Sequence, residues 1–126
     1  MPQMNFSQDA ELKLENGQYT VTILGRQFVL DGHQQEALKA SGRGAGMVVA
    51  GVRPQHIHLE HGGIPAKVEA SERMGREQHL HLNAGGSELV AIVPTSGSGN
   101  QIETVEIDFV SDCIHLFDPE SERNLI

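Results

Sequence analysis

Seven histidines supply most of the chemistry this chain could do. Four of them form two i, i+2 pairs, His56/His58 and His79/His81. Alternate residues of a strand share a face. Two adjacent strands carrying such pairs would gather four imidazoles, a donor set suited to Zn²⁺ or Fe²⁺. Metal-bound imidazoles need carboxylates behind them to fix the tautomer, and Glu60 and Glu77 lie near in sequence. A plainer reading stands beside this one. Ile57 and Leu80 supply the apolar face of each stretch, which leaves the histidines on the polar face, in water.

The other reactive residue types are less organised. Glu106 and Asp108 share one strand face, and with Glu103 they read as a solvated edge rather than an acid/base pair. Ser71, Ser87, Ser96 and Ser98 sit in no G-x-S-x-G context, so a hydrolase nucleophile has no support. Cys113 stands between Asp112 and Ile114; an adjacent anion and apolar burial both disfavour a thiolate. The glycines of Ser41–Gly46 follow no strand and precede no helix, as a nucleotide-binding turn would require.

These residues must be positioned by short strands. Ala10–Leu14 alternates apolar and charged residues, and Asn16-Gly17 is a strong hairpin signal. Strands are expected over Tyr19–Leu24 and Gln27–Leu30, joined at Gly25-Arg26, then a short helix over Gln34–Ala40. Further strands are expected over Met47–Val52, Gln55–Glu60, Ile64–Glu72, Gln78–Leu82, Glu88–Val93, Glu103–Val110 and Cys113–Phe117. Arg53-Pro54 should end the buried run, because proline removes a ladder donor. Turns are expected at His61-Gly62-Gly63 and Gly85-Gly86, and Thr95–Asn100 is a polar, low-complexity stretch. Many short strands with glycine turns and one helix predict an all-β fold, a small antiparallel barrel or sandwich.

At 126 residues the chain is expected to be one domain, residues 1–126. Apolar residues are 38%, and 14 glycines bring the total to the globular range of roughly 45–50%. The formal charge of −8 opposes attraction to phosphate backbones, so nucleic acid is not an expected partner. One cysteine cannot form an internal disulfide, which fits a reducing compartment. No apolar run is long enough to span a bilayer, so membrane association is expected only through a partner.

The segment Gly51-Val52-Arg53-Pro54-Gln55-His56 resembles the G-I/V-R-P-E-H/D signature in the C-terminal regulatory (TOBE, OB-fold-like) domain of carbohydrate ABC importer ATPase subunits, of the maltose and glycerol-phosphate type. Met4-Asn5-Phe6 resembles the place where such a chain leaves its ATPase domain, which makes residues 1–5 a lead-in from that junction. Ile64–Glu69 with Met74-Gly75-Arg76-Glu77 resembles the family's V-x-x-V-E-x-L-G-x-E strand and turn. Glu88–Pro94 and Ile114–Glu120 match later strands. Gln55 departs from the usual Glu and Ile92 from a common basic residue.

The resemblance implies an OB-fold-like antiparallel β-barrel that is regulatory and non-catalytic. The chain has no G-x-x-x-x-G-K-[ST] loop to cradle phosphates, so the implied domain has no cofactor of its own. ATP and Mg²⁺ would belong to an ATPase domain outside these residues. The implied partners are a second copy of the subunit, that ATPase domain, the membrane-spanning subunits and a regulatory protein. The implied location is cytoplasmic, at the inner face of the membrane. The implied contact residues are Gly51, Arg53, Pro54, Gln55 and His56. For Arg53 two roles remain open: an internal bridge to a carboxylate or carbonyl, or a contact across a subunit interface, where arginine is enriched.

Overall fold

The alternation of A-E-L-K-L does become a strand. In a computed structural model that describes residues 4–59, 63–94 and 104–126, β1 (Asn5–Glu15) buries Ala10 and Leu12 and exposes the charged residues between them. The expected features at Glu60–Gly62, Thr95–Asn100 and Glu103, and the first three residues of the lead-in, lie outside the described residues. Asn16 and Gly17 turn the chain with φ of 53° and 78°. Such paired positive values match the twist of a hairpin and favour Asn-Gly. β2 (Gln18–Ile23) returns with Leu12 opposite Val21. The next turn falls at Leu24-Gly25, one residue earlier than expected, and leads to β3 (Arg26–Val29), where Phe28 faces Val21.

The helix α1 (Gly32–Ser41) is longer than expected at both ends because both ends are capped. Asp31 accepts from the Gln34 backbone N–H, and the Gln34 side chain accepts from the Asp31 N–H. This reciprocal box satisfies two donors that a helix start leaves open. Gly42, at φ 71°, closes the other end in the left-handed conformation that glycine adopts freely. Only Gln34 and Leu38 of the helix are buried, four residues apart on one face.

β4 (Gly46–Val52) buries Val48, Ala50 and Val52. A single 3₁₀ turn over Pro54–His56 follows, then β5 (Ile57–His58). The strand expected over Gln55–Glu60 is therefore corrected to a turn and two strand residues. β6 (Ile64–Met74), β7 (Glu77–Ala84), β8 (Ser87–Pro94) and β9 (Thr104–Phe109) come next. After a 3₁₀ turn at Ser111–Cys113, β10 (His115–Phe117) is shorter than expected.

The strands form two five-stranded sheets, ordered β10-β4-β1-β2-β3 and β5-β9-β6-β7-β8. Every pairing with a described register is antiparallel. The chain divides into two compact units: residues 1–5 with Arg53–Phe109, and Phe6–Val52 with Val110–Ile126. The first holds β5 to β9. In it, Ile57, Ile64, Leu82 and Ile107 are fully buried; in the second, Leu12, Val21, Val48, Leu38 and Leu116 are.

The fold is mostly β with one helix, as expected, but neither sheet closes into a barrel. The reason is visible at the edges. In the first unit β5 and β8 approach with Cα atoms within 8 Å, yet they are not neighbours in the sheet. β5 has two residues to offer, and Pro94 at the end of β8 has no N–H. The Val90 backbone is already satisfied: its C=O accepts from Asn5 Nδ2 at 2.8 Å and its N–H donates to Asn5 Oδ1 at 2.8 Å. One amide side chain thus does what a neighbouring strand would do, which protects an open edge.

The second unit repeats the device. Past the end of β3, the Tyr19 N–H donates to Gln35 Oε1 at 2.8 Å and its C=O accepts from Gln35 Nε2 at 2.7 Å. On the opposite edge, the C-terminal residues cover β10: Leu125 N–H donates to the Leu116 C=O at 2.7 Å, and Asn124 bridges to Phe117. Asp118 organises this return. Its Oδ1 accepts from the N–H groups of Glu120 and Ser121 at 2.8 and 3.0 Å, and its Oδ2 pairs with Arg43.

The Ser121 and Glu120 N–H groups, and then Arg43, hold the Asp118 carboxyl below the usual aspartate range. A depressed pKa means that this group stabilises the fold above its unfolded value and that the contribution is lost as pH falls through the folded one. The unfolded value is about 3.9, so the window lies below about pH 4. Thermal melts along that acid limb should show the gap between wild type and Asp118→Asn shrinking steadily. A gap that stays constant with pH would contradict the assignment.

Candidate functional site

The Arg53–His56 turn is built by its proline. Pro54 occupies the first position of the 3₁₀ turn, where its missing N–H costs nothing and its fixed φ is preset. The His56 N–H donates to the Arg53 C=O at 2.9 Å, and the Ile57 N–H closes onto the Pro54 C=O. Pro54 and Ile57 are buried and anchor the turn from below. Arg53 and Gln55 are exposed on either side of the proline.

Of the two roles open for Arg53, the internal bridge is not seen among the described residues. Its side chain makes no hydrogen bond or ion pair among the described residues, and its backbone is extended at φ −71°, ψ 146°. Gly51 lies one strand residue before the chain passes from one unit to the other, buried in β4 opposite His115. His56 is half-buried, and its Nδ1 is enclosed without a hydrogen-bond partner among the described residues.

The histidine pairs part company. His56 belongs to the turn and His58 to β5, so the two do not share a strand face; His56 is half-buried and His58 exposed. His79 and His81 do share a face of β7, with Leu80 and Leu82 buried on the other. Each approaches a carboxylate at 3.8 Å: His79 Nε2 and Glu77, His81 Nε2 and Glu72. Among the described residues no three His, Cys, Asp or Glu side chains come close enough to hold a metal ion. The four-imidazole centre of His56, His58, His79 and His81 is therefore not assembled. Its failure has a physical cause, since Pro54 winds His56 into a turn and breaks the i, i+2 relation.

Burial, and then the neighbouring Asp112 carboxylate, raise the Cys113 thiol above its usual range, which favours the protonated form. Two side chains that shape the fold have roles that the local sequence pattern does not display. Asn5 falls in the expected lead-in chain, and its role depends on a partner 85 residues away, which no local pattern shows. Gln34 is expected only as a helix former. The spacing of Asp31 and Gln34 was the signal available for it.

The described chain is thus mostly β and holds an exposed arginine on a proline-anchored turn. The family comparison gives its class: residues 50–117, more than half the chain, match the TOBE domain, and the chain belongs to that family. The match begins at the end of β4, just ahead of the Arg53–His56 turn, and runs to Phe117.

Its relatives are ATP-binding proteins of ABC transporters. The chain is 32% identical over 120 residues to an uncharacterized ABC transporter ATP-binding protein of Sinorhizobium fredii, covering 95% of this chain and 30% of that protein. It is 31% identical over 91 residues to the sn-glycerol-3-phosphate import ATP-binding protein UgpC of Ruegeria pomeroyi, covering 70% of this chain and 26% of that protein. A Bacillus subtilis ABC transporter ATP-binding protein is 25% identical over 129 residues, with 97% of this chain and 35% of that protein covered. The chain thus spans about a third of the length of these curated relatives. Among the described residues no helix is long and apolar enough to cross a membrane.

Proposed function

We propose that residues 1–126 act as one non-catalytic regulatory and dimerisation domain of the ATP-binding subunit of a carbohydrate-type ABC importer. The observation that carries this reading is the TOBE match over residues 50–117, headed by a turn that holds Arg53 out into solvent without a partner among the described residues. The names of the glycerol-3-phosphate relatives support an organic, polyol-like cargo for the importer. ATP and Mg²⁺ fall to the part of the subunit outside these residues. In this reading the partners are a second copy of the subunit, the ATP-binding part, the membrane-spanning subunits at the cytoplasmic face, and a regulatory protein.

The turn suits an interface for physical reasons. A planar guanidinium offers five donors in a fixed fork, and a preset backbone lowers the entropy lost on contact. Gln55 and the rim of His56 add donors and acceptors beside it. The test is self-association of the nucleotide-free, full-length subunit, followed by sedimentation. Arg53→Ala is expected to weaken the dimer about tenfold, the effect of roughly 1.4 kcal/mol at an interface arginine. Unchanged association in the variant would reject the turn as the seam.

A further inference from the structure

The residues that follow β10 form a turn held together mainly by its own bonds. The Asp118 N–H donates to the Arg123 C=O at 2.9 Å, and the Glu122 N–H donates to the Asp118 C=O at 2.9 Å. The Arg123 N–H donates to Ser121 Oγ at 3.3 Å, and the Ile126 N–H to Asn124 Oδ1 at 3.1 Å. Glu122 takes φ 60°, a left-handed conformation that a residue with a side chain holds only when its surroundings fix it. Among the described residues, three ties fasten this segment to the rest of its unit. The Leu125 N–H donates to the Leu116 C=O at 2.7 Å, Asn124 bridges to Phe117, and Asp118 Oδ2 pairs with Arg43. Apolar burial adds little, since residues 119–124 are exposed and Leu125 and Ile126 only half-buried.

Arg43 is the fixed half of its pair. Its Nη2 donates to the Met47 C=O at 2.7 Å, its backbone N–H donates to Ser41 Oγ at 3.3 Å, and its C=O accepts from the Tyr19 hydroxyl. Tyr19 is itself buried in β2. A segment with few buried apolar contacts and exposed backbone bonds opens at a lower free energy than the core it lies on. We propose that residues 119–126 are a releasable strap, clasped by Arg43 through Asp118, that guards the outer edge of β10. β10 stands at the end of its sheet, with β4 on one side. The closed strap occupies the other side. When it opens, the Leu116 C=O loses its partner and β10 becomes a bare edge, the form in which a sheet accepts an extended segment. The strap does not depend on the role of the Arg53 turn, which belongs to the other unit.

Amide hydrogen exchange of the intact protein, read residue by residue, tests this. The Leu125 N–H reports the strap, and the β1–β2 ladder, nearer the middle of the same sheet, is the reference. In the wild type, Leu125 is expected to exchange roughly tenfold faster than the reference, because the strap opens without the sheet. Arg43→Met keeps the stem and removes the guanidinium; it should speed Leu125 about tenfold further and leave the ladder unchanged. Asp118→Asn should act in the same direction, since it removes the charge and keeps a side-chain acceptor for the Glu120 and Ser121 N–H groups. Exchange of Leu125 at the rate of the ladder in the wild type overturns the proposal, because the segment then opens only with the whole sheet. An Arg43→Met protein in which Leu125 is unchanged, or in which the ladder speeds up by the same factor, overturns it as well.

Discussion

Gln34→Leu is expected to lower the stability of the chain by about 3 kcal/mol, although it replaces a polar side chain with an apolar one of similar size. Gln34 is 4% exposed and makes three side-chain hydrogen bonds. Its Nε2 donates to the C=O groups of Ser111 and Ile114, both at 3.1 Å, and its Oε1 accepts from the Asp31 N–H at 2.9 Å. The amide therefore ties the start of α1 to the turn that leads into β10, across about eighty residues of sequence. Leucine fills the space and removes all three bonds. The Ser111 C=O keeps a bond from the Ile114 N–H at 3.3 Å, so the largest penalty falls on the Ile114 C=O, whose bond to Gln34 is buried. An unmet buried polar group costs about 1–3 kcal/mol, and a lost neutral bond about 1. Urea unfolding should show the midpoint falling with an unchanged slope. A loss under 1 kcal/mol would mean that water replaces the amide and that the helix is held by Leu38 alone.

The second large effect belongs to the other unit. Ile107→Ala should cost about 3–4 kcal/mol and Ile107→Val about 1. Ile107 is fully buried in β9, a strand flanked by β5 and β6, and it faces Ile64 across the ladder. Its C=O also accepts from the Gly63 N–H at 3.2 Å, a bond that neither substitution touches. The change is thus confined to packing. β9 is the strand that joins the two-residue β5 to the rest of its sheet, so the void opens where few neighbours can move in. Denaturant unfolding of the three proteins checks the ranking. Equal losses for the valine and alanine variants would indicate that the site collapses around the smaller side chain.

The legible part of this fold was set by local chemistry. Alternation around Leu12, Val21 and Leu82 marked strands, Asn16-Gly17 marked a hairpin, and the helix formers of Gln34–Ala40 marked α1. These patterns report which face is buried, and burial of that face is what the strand or helix exists to achieve. Two classes of feature were hidden. The first is competition between a local pattern and a backbone constraint. The alternation of His56, Ile57 and His58 reads as a strand, but Pro54 presets a turn, and with it went the proposed histidine cluster. The second is long-range substitution of side chain for backbone. Nothing near Asn5 or Gln35 announces that each will stand in for a strand at Val90 or Tyr19. The open sheet edges follow from those substitutions, so the closed barrel could not be tested by pattern alone.

The turn at Arg53–His56 was legible as a motif and not as a shape. Its residues stand out in the sequence by their order, while in the structure Pro54 is buried, Arg53 exposed and His56 half-buried. That division gives the site its proposed character, an anchored base that carries an exposed cation.

Sedimentation of the nucleotide-free, full-length subunit over a range of concentrations, wild type beside Arg53→Ala, with and without a chelator, tests the proposed role most directly. The expected result is a reversible dimer that ignores the chelator and weakens about tenfold in the variant. A dimer that is unchanged by Arg53→Ala, or one that falls apart when metal is removed, would contradict it.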